Sequence, residues 1–136
     1  MQEAKSIFSI ESEQDFKTKT LEVFKYQATN NPIYKSFVDA LKIDIDSVSE
    51  LEQIPFLPIK FFKQFDIITG NNPVEKTFTS SGTTGMTTSR HLVTDLALYH
   101  YSLEKCFEQF YGPLTDYTIF ALLPSYLERT GSSLID

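Results

Sequence analysis

The chain has 136 residues, 41% hydrophobic and 22% charged, with a formal net charge of −6; that size fits one domain or part of one, with enough apolar content for a sizeable core. The acidic balance argues against a broad nucleic-acid surface, which needs a clustered basic patch, and the longest apolar run, Ile119 to Leu123, is far too short to span a membrane. A single cysteine excludes an internal disulfide and fits a reducing compartment, and no signal-peptide core is visible, so a cytoplasmic location is expected.

Ser12, three residues before Asp15, predicts a helix start, with the helix running to about Ala28 and placing Phe16, Leu21, Phe24 and Ala28 on one face. Asn31-Pro32 restarts a helix, with Asn31 as cap and proline at the first helical position. Ile33, Phe37 and Leu41 follow at spacings of four and predict its buried side. Ser47-Val48-Ser49-Glu50 reads as a capping box for a short helix, cut off by Pro55 and Pro58, and Leu57 to Phe65 as one more short helix. The first 65 residues or so thus read as a helical layer.

Asn71-Asn72-Pro73 is a turn signal. Beyond it, Glu75 to Thr79 reads as a strand entering a glycine-containing loop, and Arg90 to Val93 as the strand that returns. Thr94 or Asp95 caps a helix to about Tyr111, stopped by Gly112-Pro113, with Leu96, Tyr99, Leu103, Cys106, Phe107 and Phe110 as its apolar stripe. Tyr117 to Leu123 lacks alternation and reads as a fully buried strand. Strand, helix and strand at this spacing predict a βαβ unit. The expected architecture is therefore α/β: a helical layer over about 1–65, then about 74–136 as part of a mixed or parallel sheet. A sheet of three strands with an open edge is a poor stopping point, so residues 1–136 read as a single incomplete domain from a longer chain, prone to self-association.

Between the first two strands lies SSGTTGMTTS, in which seven of ten residues carry a hydroxyl. A phosphate-binding loop needs many donors and little steric obstruction. Gly82 and Gly85 let the backbone curl so that successive N–H groups converge on an anion. Ser81, Thr83, Thr84, Thr87 and Thr88 add hydroxyl donors, and Arg90 adds a charged, bidentate fork. The pattern is not a P-loop, since GxxxxGK[ST] is absent. Composition alone is equally consistent with a Ser/Thr/Gly surface loop.

The segment Ser80 to His91, SSGTTGMTTSRH, resembles the phosphate-binding signature [ST]SGTTGxPK of acyl-adenylate-forming enzymes. With IPFLPIKFFKQF upstream and SRHLVTD and ALLPSYLERTGSSL downstream, the stretch from Ile54 to Leu134 resembles the N-terminal portion of LuxE-type acyl-protein synthetases, relatives of the phenylacetate–CoA ligases. The resemblance implies an adenylate-forming domain that uses ATP and Mg²⁺. A carboxylic acid, expected to be a fatty acid, would be activated as an acyl-adenylate and passed to a thiol, either a protein cysteine or coenzyme A. It implies that Ser80, Ser81, Gly82, Thr83, Thr84, Gly85, Thr87, Thr88 and Arg90 handle the nucleotide phosphates. Thr87 stands where the signature has proline and Thr88 where it has lysine; Arg90 would replace the lost cation. Ser125, Tyr126 and Arg129 fall in the region that borders the acyl pocket in such enzymes, although an Arg–Glu pair fixing a turn explains Glu128-Arg129 equally well. The catalytic residues are not located within this chain, and the chain alone is expected to be inactive.

Cys106 lies on the predicted apolar stripe and reads as a core residue rather than an acyl-carrying thiol. His91 would either approach the nucleotide or make a structural hydrogen bond, and His100 has no paired ligand spacing. Two histidines and one cysteine make no metal-site pattern. Two further readings accompany the first: an aryl- or acyl–CoA ligase of the phenylacetate type, and a non-catalytic anion-binding or interaction module. In all of them the expected ligands are small molecules, with no nucleic acid; assembly into an enzyme complex is also open.

Overall fold

The computed structural model of the chain describes residues 6–80 and 88–120. Ser12 accepts the amide of Asp15 at 3.1 Å and caps helix α1, Glu13–Asn30. Asn31 then does three things at one position: its N–H bonds the Gln27 carbonyl at 2.9 Å, closing α1; its Oδ1 accepts from the Tyr34 amide at 3.1 Å, opening α2 (Pro32–Ala40); and its Nδ2 donates to Thr69 Oγ1 at 3.1 Å. Asn31 is buried, and both polar ends of its side chain are paired. The two helices pack around Phe24, Ala28, Tyr34 and Val38, with Val48 and Ile54 closing the core from the following segment.

The buried face of α2 is one residue out of phase with expectation. Tyr34 and Val38 are buried, while Leu41 is exposed and Ile33 and Phe37 are only half-buried. The Tyr34 hydroxyl donates to the Pro55 carbonyl at 2.7 Å, which sets the rotation of the helix. On α1, Leu21, Phe24 and Ala28 do face the core, but Phe16 stays exposed because the core does not extend beneath the first turn. The expected capping box at Ser47 is displaced to Glu50, whose N–H bonds Gln53 Oε1 at 3.0 Å; it opens a 3₁₀ turn, Leu51–Gln53, not a helix. The short helix expected from Leu57 is a single turn, α3, Phe61–Gln64.

From α3 the chain returns over the α1–α2 junction, where the Gly70 N–H bonds the Asn30 carbonyl at 2.9 Å. It then enters β1, Lys76–Thr79, which pairs antiparallel with β2, Arg90–Val93, in the register Phe78↔His91 and Thr79↔Arg90. Asp95 caps helix α4, Leu96–Tyr111, by accepting the Leu98 amide at 2.8 Å. Gly112, at φ +86°, ends α4 in a conformation other residues resist.

Two expectations are corrected here. The sheet among the described residues is the expected hairpin of β1 and the returning β2, paired antiparallel. Tyr117 to Phe120 form no strand and lie exposed, Phe120 at 91%; residues 121–123 of that predicted strand lie outside the described residues. The stripe on α4 is not buried: the helix contributes no buried residue, and Cys106 is exposed, not part of a core. The architecture is mainly helical with a small sheet, compatible with part of an α/β domain.

Candidate functional site

Antiparallel pairing puts directly opposed residues on the same face of a hairpin and alternate residues on opposite faces. Phe78 and His91 therefore share a face, the one that meets α4: the Phe78 and Tyr99 rings lie 5.0 Å apart and His91 and Tyr99 6.2 Å. Thr79 and Arg90 share the other face. There the Arg90 guanidinium meets the Asp66 carboxylate at 2.8 Å, with both side chains about half exposed.

The hairpin continues one pair past its strands. The Ser80 N–H donates to the Ser89 carbonyl at 3.1 Å, and the Ser89 N–H donates to Ser80 Oγ at 3.0 Å. The second bond uses a lone pair of the Ser80 hydroxyl and leaves its proton as a donor. The Ser/Thr/Gly segment is thus bracketed by a paired base carrying Ser80, Ser89 and Arg90, with Thr88 beside them. Of the predicted nucleotide-binding residues, Ser80 and Arg90 stand on adjacent cross-strand pairs of the hairpin, and Thr88 directly precedes Ser89 in the chain. Ser81, Gly82, Thr83, Thr84, Gly85 and Thr87 lie outside the described residues, as do Ser125, Tyr126 and Arg129.

Two features had no signal in the sequence. Asp66, the partner of Arg90, is distant along the chain and stands in no motif. The second is an open cleft of about 460 Å³ between α1, the segment around Ile54 to Leu57, Ile67–Thr69 and β2. Its wall is mainly apolar, with Val23, Phe24, Ile54, Leu57, Ile68 and Leu92 contributing. Within it Asn31 bonds Thr69, and the Thr69 hydroxyl donates to Gln27 Oε1, while Thr20, His91 and Thr94 add polar groups to the wall. Tyr34 also lines the cleft, and burial raises its phenol pKa above the ordinary value.

Lys105 donates to Glu108 at 2.6 Å, and that bond, with the Glu108 charge, raises the lysine pKa. Among the described residues no group of three His, Cys, Asp or Glu side chains is placed to hold a metal ion, and no helix is long and apolar enough to cross a membrane.

Fold and site together define a mixed α/β chain in which a helical layer carries a hairpin with a hydroxyl- and glycine-rich tip. It is similar to a long-chain-fatty-acid–luciferin-component ligase from Photorhabdus luminescens, at 35% identity over 77 residues. The match covers 56% of this chain and 66% of that protein, so the chain spans just under two thirds of the relative's length. The resemblance to LuxE-type proteins read from the motifs is borne out by this match. No family model matches the chain, and no solved structure does.

Proposed function

We propose that this chain is part of an ATP-dependent, acyl-activating ligase whose carboxylic substrate is a long-chain fatty acid. The similarity to the Photorhabdus ligase carries the reading. The paired base at Ser80 and Ser89 supports it, because it brings the two ends of the donor-rich segment together. In the reaction, a carboxylate oxygen attacks the α-phosphorus of ATP, the bond to the β-phosphate oxygen breaks, and pyrophosphate leaves. A thiolate then attacks the acyl carbonyl and AMP departs, giving a thioester on a protein cysteine or coenzyme A. Ser80, Ser81, Thr83, Thr84, Thr87 and Thr88 supply hydroxyl donors to the β- and γ-phosphates. Gly82 and Gly85 allow the backbone N–H groups to converge on the same oxygens. Arg90 supplies the cation that Thr88 does not, and Asp66 orients it. Ser125, Tyr126 and Arg129 border the acyl group. The described residues build no Mg²⁺ cage, and Asp66 is already engaged by Arg90. Mg²⁺ would arrive with the triphosphate, as is usual for this ion.

The test is calorimetric ATP affinity, measured alongside carboxylate-dependent pyrophosphate exchange by a longer protein that contains this chain. Gly82→Val is expected to obstruct the loop and abolish exchange while the fold survives. Arg90→Ala is expected to weaken ATP binding more than carboxylate binding. Unchanged ATP affinity in both variants returns the segment to an ordinary surface loop.

A further inference from the structure

We infer that the turn from Phe56 to Lys63 is a peripheral membrane-docking surface, in which Phe56 and Ile59 enter the apolar layer of a bilayer and Lys60 and Lys63 pair with anionic lipid headgroups. The inference does not rest on the ligase reading. Phe56 and Ile59 are 79% and 84% exposed, and at three residues apart their Cα atoms lie within about 11 Å of each other. The N–H groups of Phe61, Phe62 and Lys63 bond the carbonyls of Pro58, Ile59 and Lys60 at 2.9, 3.2 and 3.0 Å. Residues 58–63 therefore follow helical turns, in which positions three and four apart are neighbours. Lys63 stands beside both Ile59 and Lys60, and all three are exposed. Other groups of the same segment fasten it to the core. The Phe61 ring lies 5.8 Å from that of Phe37, the Tyr34 hydroxyl donates to the Pro55 carbonyl at 2.7 Å, and Ile54 is buried. The exposed pair thus projects from a fixed base.

The charge on this turn is opposite to that of the chain. Net charge is −6, yet no Asp or Glu occurs between Glu52 and Asp66, and Asp66 is engaged by Arg90. Lys17, Lys19, Lys25, Lys35 and Lys105 each face a carboxylate. Lys60 and Lys63 face none among the described residues. The complement of such a turn is anionic outside and apolar beneath, which is the layering of an anionic membrane surface. A protein partner fits less well, because lysine is depleted from protein–protein interfaces. At a bilayer the lysine stems lie along hydrocarbon while the ammonium groups stay at headgroup level. The acidic remainder of the chain is repelled by the same surface, so the turn also sets the orientation. Two cations and two apolar side chains make a small anchor, and the binding is weak and reversible.

The test is sedimentation of the 136-residue chain with vesicles of phosphatidylcholine alone, or of phosphatidylcholine mixed with phosphatidylglycerol. Binding is expected to the mixed vesicles only, and to fall at high salt. Lys60→Gln with Lys63→Gln should weaken it roughly 25-fold, about fivefold per lysine. Lys19→Gln with Lys35→Gln changes the net charge equally and should bind as wild type does. Phe56→Ser with Ile59→Ser should lose binding; both positions are exposed, and circular dichroism checks that the helices remain. The chain has no tryptophan, so Ile59→Trp gives a single reporter. Its emission should shift to the blue with the mixed vesicles and be quenched by lipids brominated in the acyl chain. Equal binding to both lipid compositions, equal loss in the two lysine pairs, or an Ile59→Trp emission unmoved by vesicles overturns the assignment. So does a lipid-free dimer that Phe56→Ser with Ile59→Ser dissociates, since a second copy then covers the turn. None of these measurements uses ATP or a carboxylic acid, so their failure is separate from that of the activation reading, which pyrophosphate exchange reports.

Discussion

Helices α1 and α4 are nearly the same length, 18 and 16 residues, and both carry apolar side chains at helical spacing. Yet α1 buries Phe24 and Ala28, and α4 buries nothing. The difference lies in what each finds nearby. α1 meets α2 directly across the Asn31 corner, and Val48 and Ile54 close the same core. α4 meets the hairpin through Tyr99, while Leu103, Phe110 and Tyr111 remain exposed. An amphipathic pattern shows that a face is suited to being covered; it does not supply the cover. In this chain the cover is closed for the first helical pair and, among the described residues, only partial for α4, at Tyr99, Tyr101 and Phe107.

The largest expected effect breaks that comparison if it fails. Phe24→Ala removes a ring from a closed core and should cost about 3–5 kcal/mol in denaturant unfolding, whereas Phe110→Ala should stay within about 0.5 kcal/mol. Similar losses at the two positions would mean that α4 is covered after all. Asn31→Ala removes the cap of α2 and the tie to Thr69, and should cost about 1–2 kcal/mol, read from the same curves.

Tyr34→Phe should cost about 1 kcal/mol by deleting the bond to Pro55. It also carries a pH signature. Burial raises the folded-state pKa of Tyr34 above its unfolded value, so the folded chain favours the protonated phenol. That contribution is complete below the unfolded pKa and is lost as pH rises through the folded one. Wild type should therefore lose stability in the alkaline range more steeply than Tyr34→Phe, which unfolding curves taken across that range will show. The smallest effect sharpens the comparison from the α4 side. Cys106 should react with a thiol reagent at the rate of an unfolded control, and Cys106→Ser should shift stability by less than about 0.5 kcal/mol. A protected thiol would restore the core assignment.

The strands that flank the candidate site are legible in the sequence. The hydroxyl- and glycine-rich segment and both flanking strands follow from local composition, and β2 begins and ends where it was expected. Asp66 and the cleft were not legible, because each depends on segments brought together from far apart. The sequence offers Arg90 only as a candidate cation for phosphate, and nothing near it in sequence announces that a carboxylate from beyond α3 holds it.

The sequence by itself determined the helix ends. Ser12, Asn31-Pro32, Asp95 and Gly112 each act within about one turn, through bonds between residues three or four apart, so the information and the structure are equally local. The tertiary structure alone decided which faces are buried. Tyr34 and Val38 point inward in place of Ile33, Phe37 and Leu41 because Asn31 and the Tyr34–Pro55 bond fix the roll of α2. Cys106 stays exposed because no described element packs against that side of α4. Burial is a property of two surfaces, and a sequence motif describes only one of them.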